Sequence, residues 1–360
     1  MKKLMVAALL CLLLAGCGWM DGHYVSVRPH TNQPSQELRG TISVSSVSEM
    51  EQALDTLVSQ GAESAVISAS KMSRQFLEMG IGRAVSHCMN QTALGAYAVS
   101  DITWEAGTTG GENSLALRIT YRHGLGEIRR IRRVKTVAEA KTLVERALQQ
   151  CSAGIAIFIE GEEDADFAQM VEDYADAHPE IVMELPQVGV SRYPEEGTPW
   201  IVELQFTYQT SREALREMQV YVQPVFSAAR YYVMGETDQR VKFTQLASFL
   251  MERNQFTVET SITPGYSLLR HGVGDSKAFA CMYGAMCRQA GLECLMVSGT
   301  RAGEPHFWNI LSIDGRYYHA DLLHPGPEGE LLLLLDEQMQ GYVWDYSAYP
   351  ACTEETPPST

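Results

Sequence analysis

Three residues in the last third of the chain, Ser276, His306 and Asp321, are of the types that together attack an acyl bond. A hydroxyl needs a general base to take its proton during attack. An imidazole serves as that base when a carboxylate orients it and stabilises its protonated form. The three lie far apart in sequence, so specific elements must bring them together. The stretch "HGVGDSKAFACMYGAM", His271 to Met286, reads as a tight Gly-Asp turn followed by a helix opening on Ser276. Phe279, Tyr283, Met286 and Ala290 recur there at helical spacing, beside a stripe of small residues, Ala280, Gly284, Cys287 and Gly291. This predicts a buried helix whose small face admits a close neighbour, with Gly291 at its C-terminal end. Its N-terminus would offer N–H groups to an oxyanion.

The other two residues fall on predicted strands. "LECLMVSGT", "HFWNILSI" and "RYYHADLL" each read as a strand, and Asp314-Gly315 between the last two is a strong hairpin signal. A two-residue turn opposes Ile313 to Arg316, which puts His306 and Asp321 on one face as diagonal neighbours, about 7 Å apart at the backbone. His319 shares that face and is a rival base, although its place opposite Ile310 suggests packing. Trp308, on the same face, and Phe279 are predicted to line the cleft. Asn309 faces the other way and is expected to hold a loop, and Glu304 reads as surface. Each candidate also has a plainer reading. Ser276, after Asp275, is of a type that caps helices; His306 beside Pro305 would be a strand-end histidine; Asp321 would anchor a loop. "DQRVKFTQLASFLMERNQF" from Asp238 adds an amphipathic helix upstream.

At these residues the sequence resembles transglutaminase-like domains, which belong to the papain-like cysteine fold. Their motif is a cysteine at a helix start, a histidine on one strand and an aspartate on the next. "GDSKAFA" to "QAGLEC" resembles the family's nucleophile helix, with Ser276 at the cysteine position. "PHFWNI" resembles its His-x-Trp-Asn run, giving His306, and "GRYYHAD" resembles its following strand, giving Asp321. The closing "YVWDYSAYPAC" from Tyr342 also resembles the end of such domains. Aligning Gly274 with the cysteine instead leaves the helix two residues too long before Ala290-Gly291. The resemblance implies a papain-like α+β domain whose nucleophile is an oxygen. Cys281 is no substitute, since five residues along a helix turn about 140° away from Ser276. The resemblance covers about residues 225 to 352.

Upstream, "SVSEMEQALDTLVSQGAESAVIS" from Ser46 can be laid over "TVAEAKTLVERALQQCSAGIAIF" from Thr136. Ser46 and Thr136 are matched N-caps; Leu54, Leu57 and Val58 match Val144, Ala147 and Leu148 on one helical face. "LALRITYR" from Leu115 and "VELQFTYQ" from Val202 both alternate with period two. Each copy reads helix, strand, helix, then two antiparallel strands joined near Gly107 to Gly111 or Glu195 to Gly197. The fold expected is therefore α+β, with two duplicated small modules at residues 41–130 and 131–220 before a transglutaminase-like domain at 221–352. His87, His123 and His178 have no matched counterparts and read as surface or satisfied histidines.

The N-terminus resembles a bacterial lipoprotein signal. Lys2 and Lys3 precede an apolar run, Leu4 to Leu14, that ends in Leu14-Ala15-Gly16-Cys17. The run is short for a bilayer span. Residues 1–17 are read as that signal with Cys17 lipidated, 18–40 as a tether and 353–360 as a disordered tail. The implied location is extracytoplasmic, with the cell membrane as a partner through the lipid. With 28 Lys and Arg against 44 Asp and Glu, the formal charge of -16 argues against nucleic acid as a partner. Six cysteines of the body, Cys88, Cys151, Cys281, Cys287, Cys294 and Cys352, show no framework spacing, so buried thiols and disulfides both remain open. No zinc-type spacing or nucleotide loop is present, so neither metal nor cofactor is expected. The function expected is a cleft that binds cell-wall peptide or envelope protein without turning it over, a pseudoenzyme. The alternative is a Ser-His-Asp hydrolase or acyltransferase using Ser276, His306 and Asp321.

Overall fold

The computed structural model describes residues 41–69 and 71–354; the expected signal, Cys17, the tether and the end of the tail lie outside them. The architecture is α+β. In its first part, strands β1 (Thr41–Ser43), β2 (Ser64–Ala69), β3 (Val99–Thr109) and β4 (Glu112–Tyr121) form a sheet in the order β1-β2-β4-β3. Strands β5 (Arg132–Val134), β6 (Gly154–Ile159), β7 (Gln187–Tyr193) and β8 (Trp200–Thr207) form a second in the order β5-β6-β8-β7. In each, the short edge strand pairs parallel and the other contacts are antiparallel.

Local chemistry in the two parts is also alike. Ser46 and Thr136 accept from the N–H groups of Glu49 and Glu139, and those glutamates reach back to the N–H groups of Ser45 and Lys135 at 2.7 and 2.8 Å. Two orphan donors are thus satisfied at each helix start. The helices that follow, Val47–Gln60 and Val137–Gln149, bury the matched faces Leu54, Leu57, Val58 and Val144, Ala147, Leu148. The edge strands β1 and β5, three residues each, carry no readable period and were not anticipated. His87 and His178 bond the side chains of Gln91 and Glu180.

A 21-residue helix, Arg212–Tyr232, runs unbroken across position 220. Its buried Leu215, Val222, Phe226 and Ala229 belong to the C-terminal core, together with the helix Gln239–Met251. Against this core lies an antiparallel sheet in the order β13 (Arg316–Ala320), β12 (Glu304–Ile313), β11 (Cys294–Arg301), β14 (Tyr342–Trp344). The helix Ser276–Gln289 is buried on nearly every side and packs on this sheet. Its small stripe permits that approach: a Cβ on Gly284 would come within 3.2 Å of the Arg288 guanidinium and 3.5 Å of the Asn309 amide. A short parallel pair, β9 (Gln255–Phe256) and β10 (Val273–Gly274), leads into that helix. All six body cysteines are buried free thiols. No helix among the described residues is long and apolar enough to cross a membrane.

Candidate functional site

The hairpin register is the one Asp314-Gly315 predicts: Ile313 pairs with Arg316 and Asn309 with Ala320. Both turn residues adopt positive φ, +51° and +77°, which their types tolerate and which matches the twist of the flanking strands. The ladder ends at Ala320, and Asp321 follows on the face that carries His306. The diagonal contact closes: His306 Nε2–H donates to Asp321 Oδ2 at 2.7 Å. Both residues are buried.

The helix opens on Ser276 as expected, but the cap that the plainer reading gives to Ser276 belongs to Asp275. Asp275 is the N-cap, its Oδ1 accepting from Ala278 N–H at 2.9 Å, while its Oδ2 accepts from the Thr260 hydroxyl. Ser276 is therefore the first helical residue, not the cap. Two cap-type residues stand side by side here, and the carboxylate, a stronger acceptor at the positive helix end, takes the role. Ser276 Oγ accepts from Phe307 N–H on β12 at 3.3 Å, and among the described residues no hydrogen bond joins it to His306. The cleft beside these groups holds about 650 Å3. Its wall includes Ser276, His306, Asp275, Arg301, Phe307 and His324.

Three expectations are corrected. Phe279 and Trp308 do not line the cleft; each is 1% exposed and lies in a core. Trp308 is roofed by Tyr342 and Trp344, at 5.1 and 5.8 Å between ring centroids. Asn309 holds no loop. It is fully buried and its amide donates to Ala280 O at 3.0 Å, tying β12 to the helix Ser276–Gln289. His319, by contrast, is packing and network, as its place opposite Ile310 suggests. Its Nδ1 accepts from Trp308 Nε1–H, and its Nε2–H donates to Asp336 Oδ1, both at 2.9 Å. Burial, only partly offset by Asp336, depresses the basicity of that ring.

Two contributors were not read from the sequence. His324 Nδ1–H and the Tyr342 hydroxyl both donate to Asp321 Oδ2, each at 2.7 Å, so that one oxygen receives three donors. Leu323 N–H holds the other oxygen at 3.0 Å. Burial pushes the Asp321 carboxyl up, but the hydrogen bonds from His306 and Tyr342 and the two imidazoles outweigh it and hold it below the ordinary carboxylate range. The Arg301 guanidinium stacks over the Tyr342 ring at 5.4 Å. The Asp321-x-x-His324 spacing was the available signal for His324.

This arrangement, a helix start beside an antiparallel hairpin that carries an imidazole–carboxylate pair, coincides with a family match. Residues 227–322 match the sequence profile of the transglutaminase-like superfamily. This chain carries a transglutaminase-like domain. The matched span contains Ser276, His306 and Asp321 and stops short of His324 and Tyr342. No curated protein matches the chain. Among solved structures, a TGase is similar at 10% identity and a TM-score of 0.27, covering 47% of this chain and 50% of that one. A presumptive cysteine protease from Cytophaga hutchinsonii has 10% identity and a TM-score of 0.27, covering 41% and 65%. A presumptive protease from Parabacteroides distasonis has 9% identity and a TM-score of 0.24, covering 71% and 39%. The chain thus spans half of the first and less than two thirds of the others. Overlays of that quality establish no shared overall structure.

Proposed function

We propose that this chain is a lipid-anchored, extracytoplasmic protein whose transglutaminase-like cleft binds peptide or protein segments of the cell envelope without turning them over. The observation that carries this reading is at Ser276. Its Oγ accepts from Phe307 N–H, and among the described residues no hydrogen bond joins it to His306 Nδ1, the nitrogen that the bond to Asp321 leaves free. A thiol tolerates such a gap because it ionises near neutral pH and pairs with the imidazolium at longer range. A hydroxyl does not, because its proton must leave during attack along a hydrogen bond. Asp275 adds to this. Its carboxylate stands in the cleft wall next to the helix start, where a developing oxyanion would meet like charge.

The location rests on the Leu-Ala-Gly-Cys end of the N-terminal apolar run. The two upstream sheets, with their matched caps and strand order, are read as copies of one module that hold the domain away from the lipid. The intact His306–Asp321 pair favours the second reading, a Ser-His-Asp hydrolase or acyltransferase in which substrate binding draws Ser276 onto His306. Intact mass after treatment with a fluorophosphonate separates the two, using the full chain in detergent. No adduct is the expected result. An adduct on wild type that is absent from Ser276→Ala would make the protein an enzyme and overturn the binding reading.

A further inference from the structure

Three metal-competent donors meet at the edge of this cleft: His306 on β12 and His324, which line it, and the buried Asp321 just past β13 behind them. Each offers one ligand atom within 4.8 Å of those of the other two, and His306 Nε2 and His324 Nδ1 are the nitrogens that already meet Asp321 Oδ2. We propose that these three side chains bind a divalent transition ion of the zinc type, with a further coordination position open to the cleft. The proposal does not rest on the binding reading above and holds whether or not Ser276 is reactive.

Two imidazoles and a carboxylate are a donor set that zinc accepts, and three protein ligands with one open position is the pattern of a zinc site that meets a ligand. Metal–ligand bonds of about 2.0–2.1 Å place tetrahedral donors about 3.3 Å apart. The two nitrogens now stand 2.7 Å from Asp321 Oδ2, so each gap must widen by about 0.6 Å, within reach of small side-chain rotations. The carboxylate is already held at Oδ1 by Leu323 N–H, and the Tyr342 hydroxyl bonds Oδ2 itself, the kind of outer support that orients a metal ligand.

Tautomers decide that the site can exist. Each metal-facing nitrogen now carries a proton and must lose it. Among the described residues, no donor is aimed at the other nitrogen of either ring. Both protons can therefore move, by way of solvent, to His306 Nδ1 and His324 Nε2, and no net proton need be released. The second His-Asp-Cys group of the domain, His319, Asp336 and Cys352, shows what failing this condition looks like. Trp308 Nε1–H already donates to His319 Nδ1, which forces the proton onto the nitrogen that would face the ion. Both Asp336 oxygens are also taken, by His319 and by Cys352 N–H. That group is a closed structural network, whereas the cleft group is open.

Occupancy has a chemical consequence. With an ion on Nε2, His306 Nδ1 carries a proton and cannot accept one from Ser276. Metal binding and base catalysis by His306 exclude each other.

Titration calorimetry of the full chain in detergent with zinc chloride, and absorption spectra with cobalt chloride, test the site. One ion per chain with micromolar or tighter affinity is expected. His324→Gln should weaken it by more than the about 10–100-fold that loss of a merely supporting group costs, and Cys352→Ser should leave it unchanged. Wild-type affinity weaker than about millimolar, or binding unchanged in His324→Gln, overturns the proposal. X-ray absorption on zinc-loaded wild type needs no variant to fold. It should show two imidazoles and only light ligands, and a sulfur shell at about 2.3 Å would place the ion on cysteines and overturn the site.

Discussion

Ser276→Cys should turn the cleft into a reactive thiol site. A model thiol titrates near 8.5. An imidazolium at about 4 Å, in an effective dielectric of about 20, stabilises the thiolate by about 4 kcal/mol. The positive end of the helix Ser276–Gln289 adds about 0.3–1 kcal/mol. The neighbouring Asp275 carboxylate opposes this, and about 2 kcal/mol is allowed for it, the repulsion of two like charges about 8 Å apart in the same dielectric. The net is about 2.5 kcal/mol, close to two pKa units at about 1.36 kcal/mol each, before the desolvation of a buried site is subtracted. The introduced thiol is thus expected near 6.5 or somewhat above. Alkylation by iodoacetamide, followed by intact mass, reads this out, provided the pH is chosen well. At pH 7.5 the thiolate is about tenfold more populated than in a free thiol, but its lower basicity costs about 6–10-fold in nucleophilicity, so the rates nearly cancel. At pH 5.5 the populations differ by about 90-fold, which leaves about a tenfold advantage. The native thiols are a built-in control, since burial pushes Cys88, Cys281 and Cys352 up to about 12. A midpoint at or above 8.5, or a midpoint that does not move when His306→Ala is added, would refute the argument that the imidazole and the helix start converge on this position.

The other expectations concern the supports of the site. Asp321 has a depressed pKa in the folded state, so at a given acidic pH the unfolded chain binds more protons there; its stability contribution is full above about pH 4 and is lost as pH falls through the lower folded value. Asp321→Asn should therefore flatten the acid limb of a denaturation-versus-pH curve and cost about 3–5 kcal/mol at neutral pH, as breaking a buried pair does. Gly299→Ala should dislodge β14, because a Cβ there strikes the Val343 carbonyl oxygen and comes within 2.8 Å of the Trp308 ring; a loss of about 1–3 kcal/mol in urea unfolding is expected. Asn309→Ala should cost about 1–3 kcal/mol in thermal unfolding by freeing β12 from the helix at Ala280. Ser46→Ala and Thr136→Ala should each cost about 1 kcal/mol by the same measure, since both caps make the same bond.

The sequence made the His306–Asp321 contact legible because one two-residue turn fixed a register, and strand parity then placed both side chains on one face. Parity names a face but not what covers it. Trp308 shares that face and is nonetheless core, because β14 returns from some twenty residues downstream and lays Tyr342 and Trp344 over it. Nothing periodic between Leu322 and Gln340 announces that return, so Tyr342 could not be assigned to Asp321 from pattern alone. The two upstream sheets were legible for a different reason. Matched caps and helix faces recur in register, whereas the three-residue edge strands are set by the sheet they join and not by their own residues.

The behaviour of the cleft turns on one atom. Asp321 Oδ2 accepts from His306, His324 and Tyr342 at once, more donors than its in-plane lone pairs serve well. Without an ion, this oxygen keeps the protons on His306 Nε2 and His324 Nδ1 and leaves the other ring nitrogens as acceptors. His306 Nδ1 is then a proton acceptor for a nucleophile with a loosely held proton beside it, which a thiol at position 276 would be. The same crowding lets an ion enter, because a divalent charge replaces two N–H donors at the oxygen while Tyr342 and Leu323 keep the carboxylate in place. On the proposed binding reading, the cleft keeps an imidazole oriented by a buried carboxylate without a thiol to use it, and what stands at its edge is His306 and His324, both held by the one oxygen behind them.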